Sequence, residues 1–286
     1  VKMMKLKPRY FDMSPELIRS VKSGQELLKQ PGEICAQELS RFDSVIELQG
    51  GKVSRVYKGF LNGEARIIKF SFGSYRAVEL RREAEALLEI DNHGGADLVP
   101  TMLDFQQKGH YTCLTMSYIK GETARMRLAS CTDVEKRAWI WHSIGASLAR
   151  IHRMFLIEDA QSGWLEKQQE IAELNKEQGL IDPDEFTHET ADDLLVWLKN
   201  HMPKERAITV IHGDFRTKNL ILTEAGCSII DWSFVDIGSP YYDLAVVDYY
   251  FANEEDRKNF YLGYDLFEYN TALIDYYDKL SKFINV

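Results

Sequence analysis

The stretch that most constrains this chain is VIHGDFRTKNLIL, residues 210–222. Residues of strand character, Ile208 to Ile211, run into His212, Gly213 and Asp214. Asn219 follows at a fixed offset, with apolar Leu220, Ile221 and Leu222 behind it. Nine residues beyond Leu222, Asp231 ends another apolar run in CSIIDWS. An Asp held on a rigid turn after a strand can accept a proton from a bound hydroxyl. Asn and Asp also offer the hard oxygen donors that Mg2+ takes, with water and phosphate completing its shell.

The order H-x-D-x-x-x-x-N, strand, Asp is that of the catalytic loop and metal-binding Asp of protein kinases. Such chemistry makes four demands upstream, and each is met in sequence order. A loop between strands must cover phosphates, and LQGGKVSRVYKG supplies Gly50, Gly51 and Ser54. The third strand must carry a Lys, and RIIKF supplies Lys69. The next helix must carry a Glu to hold that Lys, and RREAEALL offers Glu83 and Glu85. An extended hinge must present backbone to adenine, and LTMSYIKG fits at Met116 to Lys120.

Periodicity divides the rest. Residues 1–42 read as helical pieces, with Ser14 and Pro15 suited to a helix start. SVIELQGG, SRVYKGFLNG and EARIIKFSFG read as three short strands, and Asn62-Gly63 marks a hairpin. YRAVELRREAEALLEIDN reads as a helix with Val78, Ala84, Leu87, Leu88 and Ile90 on one face. Two more strands flank the turn at Lys108-Gly109. Beyond Gly121, a long helix puts Ala138, Trp141, Ile144, Leu148, Ile151 and Phe155 at spacings of three and four. Helices follow over 163–201, broken near Asp182-Pro183, then short strands over 207–231 and an aromatic helical tail over 240–286. The expectation is an α+β, two-lobed fold: an N-terminal helical segment (1–42), a five-stranded antiparallel lobe with one helix (43–119), and a mainly helical lobe (120–286). His152 reads as a satisfied core or interface histidine without a catalytic role. Tyr241, Tyr242, Tyr249, Tyr250 and Phe251 read as core packing. The acidic run Asp182, Asp184, Glu185, Glu189, Asp192, Asp193 reads as a solvated helical surface, with lining of an acceptor pocket as its alternative.

Composition narrows the partners. The chain has 286 residues, 45% of them apolar and 28% charged, enough for a sizeable core. A net charge of −9 argues against nonspecific binding to nucleic acid or anionic membrane. No apolar run approaches bilayer length, and the opening VKMMKLKPRY has no signal-peptide core. Four cysteines without C-x-x-C or metal spacing read as free thiols. These features point to a cytoplasmic protein.

Gly213 after His212, and Trp232 after Asp231, separate the chain from protein kinases, which use HRD and DFG. In HGDFRTKN and IIDWSFVDIGSPYYDLA the chain resembles the aminoglycoside phosphotransferase family, small-molecule kinases that share the protein-kinase fold. REAEALL, LARIHRM and GSPYYDLA add to the likeness, which spans roughly residues 40–265. The resemblance implies transfer of the γ-phosphate of ATP (or GTP), with Mg2+, to a hydroxyl of an antibiotic or metabolite. It implies Asp214 as the base, and Asn219 and Asp231 as metal ligands. Lys69 would sit on the α- and β-phosphates, held by Glu83. Gly51 to Ser54 would lie over the phosphates, with backbone at Ser117 and Ile119 on adenine. His212 and Asp243 would be scaffolding. The alternative is a kinase-shaped nucleotide-binding or regulatory module without turnover. Arg216 and Lys218 depart from what a strongly cationic acceptor would favour, because they add positive charge beside Asp214.

Overall fold

The computed structural model describes residues 32–48, 54–109, 111–158, 163–204, 207–265 and 270–284. The helix start at Ser14-Pro15 and the glycines Gly50 and Gly51 lie outside them. The described chain forms two compact units. One holds residues 32–120 together with Ile230–Phe234, and the other residues 121–229 and 235–284.

The first unit begins with α1 (Gly32–Leu39) and is built on β1 (Ser44–Leu48), β2 (Arg55–Leu61), β3 (Glu64–Phe72), β4 (Met102–Lys108) and β5 (Tyr111–Ser117). All pairings are antiparallel, in the order β1-β2-β3-β5-β4. The β2–β3 hairpin turns through Asn62 and Gly63, both at positive φ (53° and 80°), as a tight two-residue turn requires. Alternation along β3 then sorts its residues. Ile68, Phe70 and Phe72 enter a core with Cys35, Tyr57 and Cys113. Lys69 and Ser71 take the opposite face.

That opposite face meets α2 (Ser74–Asn92). Leu80, Ala84, Leu87 and Ile90 are buried on it. Leu88, expected on the same face, is 40% exposed. At about 100° per residue it lies a quarter-turn past Leu87, beyond the stripe that Glu83, Ala84 and Leu87 define. On the other face of the sheet, Glu38 ties α1 down. It accepts from Lys108 (2.6 Å) and Tyr111 (2.9 Å), and lies 3.3 Å from Arg41.

The second unit runs through β6 (Glu122–Thr123), α3 (Ala124–Ser130), α4 (Val134–Phe155), α5 (Trp164–Glu177) and α6 (Ala191–Asn200). It continues with β7 (Thr209–Ile211), β8 (Leu220–Thr223), β9 (Gly226–Ile229), β10 (Asp236–Gly238), α7 (Pro240–Asp248), α8 (Glu254–Tyr264) and α9 (Thr271–Ile284). Its strands form two small sheets, β6-β8-β9 and β7-β10. Trp141, Ile144, Leu148 and Ile151 are fully buried along α4. α8 crosses α4 at two glycines. A Cβ on Gly145 would stand 2.1 Å from the Phe260 carbonyl oxygen, and one on Gly263 would stand 2.0 Å from that of His142. The expected break between the helices of 163–201 is a 3-10 turn, Pro183–Glu185, capped by Asp182. Around it the acidic run stays largely at the surface, with Asp192 paired to Lys176. The aromatic tail divides: Tyr242 is buried, whereas Tyr249 is 82% exposed. Among the described residues, no helix is long and apolar enough to cross a membrane.

Candidate active site

In the first unit the site is organised by Lys69. β3 is the central strand, and Lys69 stands opposite Val56 and Leu114. Its neighbours in sequence, Ile68 and Phe70, hold the strand in the core, so its own side chain must rise on the α2 face. There its ammonium meets Glu83 Oε2 at 2.7 Å and Asp231 Oδ1 at 2.5 Å. Glu83 is 1% exposed, while Glu85 is exposed on the far side of the helix. Burial works against the Lys69 charge, but Asp231 and Glu83 outweigh it and hold the ammonium above its usual range. Burial pushes the Glu83 carboxyl up. Lys69 pulls it back, as does the Trp232 backbone N–H that donates to it.

Asp231 reaches Lys69 from a turn of its own. It follows β9 and precedes the 3-10 turn Trp232–Phe234, which packs on α2. Its backbone is left-handed, with φ 64°. That conformation is uncommon outside glycine and better tolerated by Asp than by most residues. Ser233 donates to the same Oδ1 at 3.1 Å. These contacts explain why Ile230–Phe234 belongs with the first unit, although the sequence division at 119/120 put it with the helical lobe.

The second unit holds the HGD turn. His212 and Gly213, directly after β7, donate their backbone N–H groups to Asp243 at 2.6 and 2.9 Å. Asp243 is fully buried in the first turn of α7. Gly213 has φ 80°, a left-handed bend at which glycine carries no Cβ penalty. The Asp214 N–H donates to His212 Nδ1 at 3.1 Å, which places the imidazole proton on Nε2. Asn219 donates through Nδ2 to the Asp214 carbonyl and to Asp214 Oδ2, both at 2.9 Å. Arg216 Nε lies 2.5 Å from Asp214 Oδ1, and Lys218 Nζ lies 3.3 Å from Oδ2. Behind this turn His152 is buried, with Nε2 3.2 Å from Asp243 Oδ2 and Nδ1 2.7 Å from the Tyr264 hydroxyl. Its carbonyl accepts from Thr209 at 2.6 Å. The histidine expected in the core is thus one step from the HGD backbone. Residue spacing carries no sign of this tie, which spans 91 residues.

The remaining expected residues are placed as follows. Ser54 is buried, and its hydroxyl lies 3.1 Å from that of Ser71, on the Lys69 face of the sheet. Ser117 donates its N–H to the Thr101 carbonyl and accepts the Thr101 N–H on its hydroxyl, both at 2.9 Å. Ile119 is half-buried, and its backbone makes no hydrogen bond among the described residues. Between them the Tyr118 ring lies under the Lys58 ammonium, 3.7 Å from its centroid. Gly51 lies outside the described residues.

Comparison with known proteins gives the family and the fold. The family model described as the phosphotransferase enzyme family matches residues 45–276. The chain belongs to that family. As a phosphotransferase it has solved structural relatives at low identity. An aminoglycoside-3'-phosphotransferase of type VIII superposes with a TM-score of 0.67 at 19% identity, covering 93% of this chain and 99% of that one. The amicoumacin kinase hAmiN, solved in complex with AMP-PNP, Ca2+ and Ami, gives 0.61 at 12% identity over 88% of this chain and 85% of that one. A streptomycin–ATP complex of the phosphotransferase APH(2")-IIa gives 0.59 at 15% identity over 86% of each chain. The fold is therefore α+β and kinase-like. A curated mouse (Mus musculus) protein, acyl-CoA dehydrogenase family member 10, is 36% identical over 55 residues, which is 18% of this phosphotransferase and 5% of that protein's length.

Proposed function

We propose that this phosphotransferase moves the γ-phosphate of ATP (or GTP) to a hydroxyl of a small molecule. The observation that carries the reading is Lys69, an ammonium buried between Glu83 and Asp231. Burying Lys69 and Glu83 beside a partly exposed Asp231 costs several kcal/mol per buried ion before pairing returns it, and phosphate binding gives that arrangement a purpose. Lys69 would meet the α- and β-phosphates, with Glu83 fixing its position. Backbone at Ile119 would donate to adenine. The Ser117 N–H is already bonded, so any contact there falls to its carbonyl. Gly51 and Ser54 are the proposed cover of the phosphates.

Asn219 and Asp231 are the proposed ligands of Mg2+. Their donors fit it, being hard oxygens. Asn219 commits its amide nitrogen to Asp214, which leaves the amide oxygen for a cation. When bound, the ion neutralises charge on the phosphates. Asp214 accepts the proton of the acceptor hydroxyl, with its backbone held by His212 and its carboxylate by Asn219. Asp243 holds the turn rigid, so that the base costs no reorganisation during transfer. Free thiols, three of them buried, suit a cytoplasmic location. The silent-module alternative is disfavoured because every position that phosphoryl transfer asks for carries a competent side chain.

The test is Asp214→Ala in an assay of ATP consumption with Mg2+ across a panel of alcohols. We expect transfer to fall at least ~10²-fold, as loss of a general base does, while calorimetry shows nucleotide binding retained. Undiminished turnover in the variant would overturn the assignment.

A further inference from the structure

The chain is acidic overall, yet positive charge gathers at Asp214. Arg216 and Lys218 both touch its carboxylate, and their side chains remain 39% and 50% exposed. Arg125, the second residue of α3, is exposed and makes no hydrogen bond or ion pair among the described residues. α3 packs on the Thr217–Asn219 turn. The charges of Arg216, Asp214 and Arg125 all act on the Tyr250 hydroxyl, which burial pushes up. That half-buried hydroxyl has no hydrogen-bond partner among the described residues. Two cations thus touch one carboxylate, and a third cation and a spare hydroxyl donor lie within electrostatic reach of the same cluster. One carboxylate balances one of those charges. Guanidinium forks are shaped for carboxylate and phosphate oxygens, and a polycationic acceptor would meet like charge here.

We propose that the acceptor is an alcohol carrying its own anionic group, a carboxylate or a phosphate, held by Arg125, Arg216, Lys218 and Tyr250 beside Asp214. The proposal rests on the phosphotransfer reading above and names its substrate class. The reaction stays balanced as written there: the acceptor oxygen forms the new P–O bond, its proton goes to Asp214, and ADP leaves.

The test uses the full chain with Mg·ATP and matched acceptors: hydroxy acids and glycerol or sugar phosphates against neutral polyols, choline-type alcohols and aminoglycosides. Calorimetric binding of each acceptor gives a second readout. The expected result is a preference for anionic alcohols of ~10²-fold or more in kcat/KM, the scale at which opposed charges discriminate. Arg125→Glu should raise KM for the anionic acceptors ~10-fold or more, should affect KM more than kcat, and should improve binding of amino alcohols. Arg125 is exposed, so folding should survive, and Arg125→Gln gives a milder second variant. Preference for neutral or cationic alcohols, untouched by either variant, would remove the anionic acceptor and leave phosphotransfer standing. A rise in KM for ATP instead of the acceptor would assign the cations to the nucleotide and overturn the proposal. Absence of ATP binding would overturn phosphotransfer, and this proposal with it.

Discussion

Lys69, Glu83 and Asp231 share one small volume, and Lys69 keeps its charge there because of the two carboxylates. Removing the ammonium exposes the dependence. In Lys69→Met, Glu83 stays buried with only the Trp232 N–H to pull its carboxyl back. Its folded pKa then lies further above the unfolded value, so its stabilising share is present below the unfolded pKa and lost as pH rises through the folded one. We expect Lys69→Met to lose on the order of 3 kcal/mol at pH 8 and much less near pH 5. Adding Glu83→Gln should flatten that difference. Urea unfolding at both pH values checks it. At this scale much of the site was legible. Apolar Ile67, Ile68 and Phe70 around Lys69 forced it onto an interior face, and helix phase separates buried Glu83 from exposed Glu85. The Arg216 and Lys218 contacts follow from short spacing to Asp214. The His152–Asp243 and Ser54–Ser71 contacts do not, because they depend on how distant elements pack.

Elements were legible in proportion to their length. α4 repeats its apolar residues over six turns, and the four central positions are the ones fully buried. β7 and β10 have three residues each, too few for a period, and their pairing depends on the HGD turn between them and the rest of the chain. The crossing of α4 and α8 is another case. A glycine in a helix costs up to about 1 kcal/mol against alanine, so Gly145 reads as a weakness until its neighbour is known. Its missing Cβ is what lets the Phe260 carbonyl approach. Gly145→Ala should therefore destabilise by about 1–3 kcal/mol, the usual cost of overpacking, despite its better helix propensity. Chemical denaturation followed by far-UV circular dichroism checks the sign. Because α8 ends at Tyr264, which holds His152, the same substitution should reach the HGD turn and lower kcat more than a surface mutation of equal stability cost.

Across the whole molecule, buried thiols report on each unit separately. Burial pushes Cys113 in the first unit and Cys227 in the second up to about 12. At pH 8 both stay as unreactive thiols in the folded chain. Pulse alkylation with mass spectrometry should label half-buried Cys131 well before either. In the Lys69→Met background Cys113 should become reactive at lower urea than Cys227, since the lost charge belongs to its unit. Simultaneous labelling would mean the two units unfold as one. The first unit has a further peculiarity, the return of Ile230–Phe234 to a sheet and helix completed by residue 117. Lys69 waits for a carboxylate 162 residues downstream. At ~5–20 residues per second, a ribosome takes about 8–30 s to deliver it. Throughout that interval the nascent lobe must keep a lysine in its interior with one counter-charge instead of two. The first unit of this enzyme is therefore born incomplete, and chaperone contact during synthesis should concentrate on it.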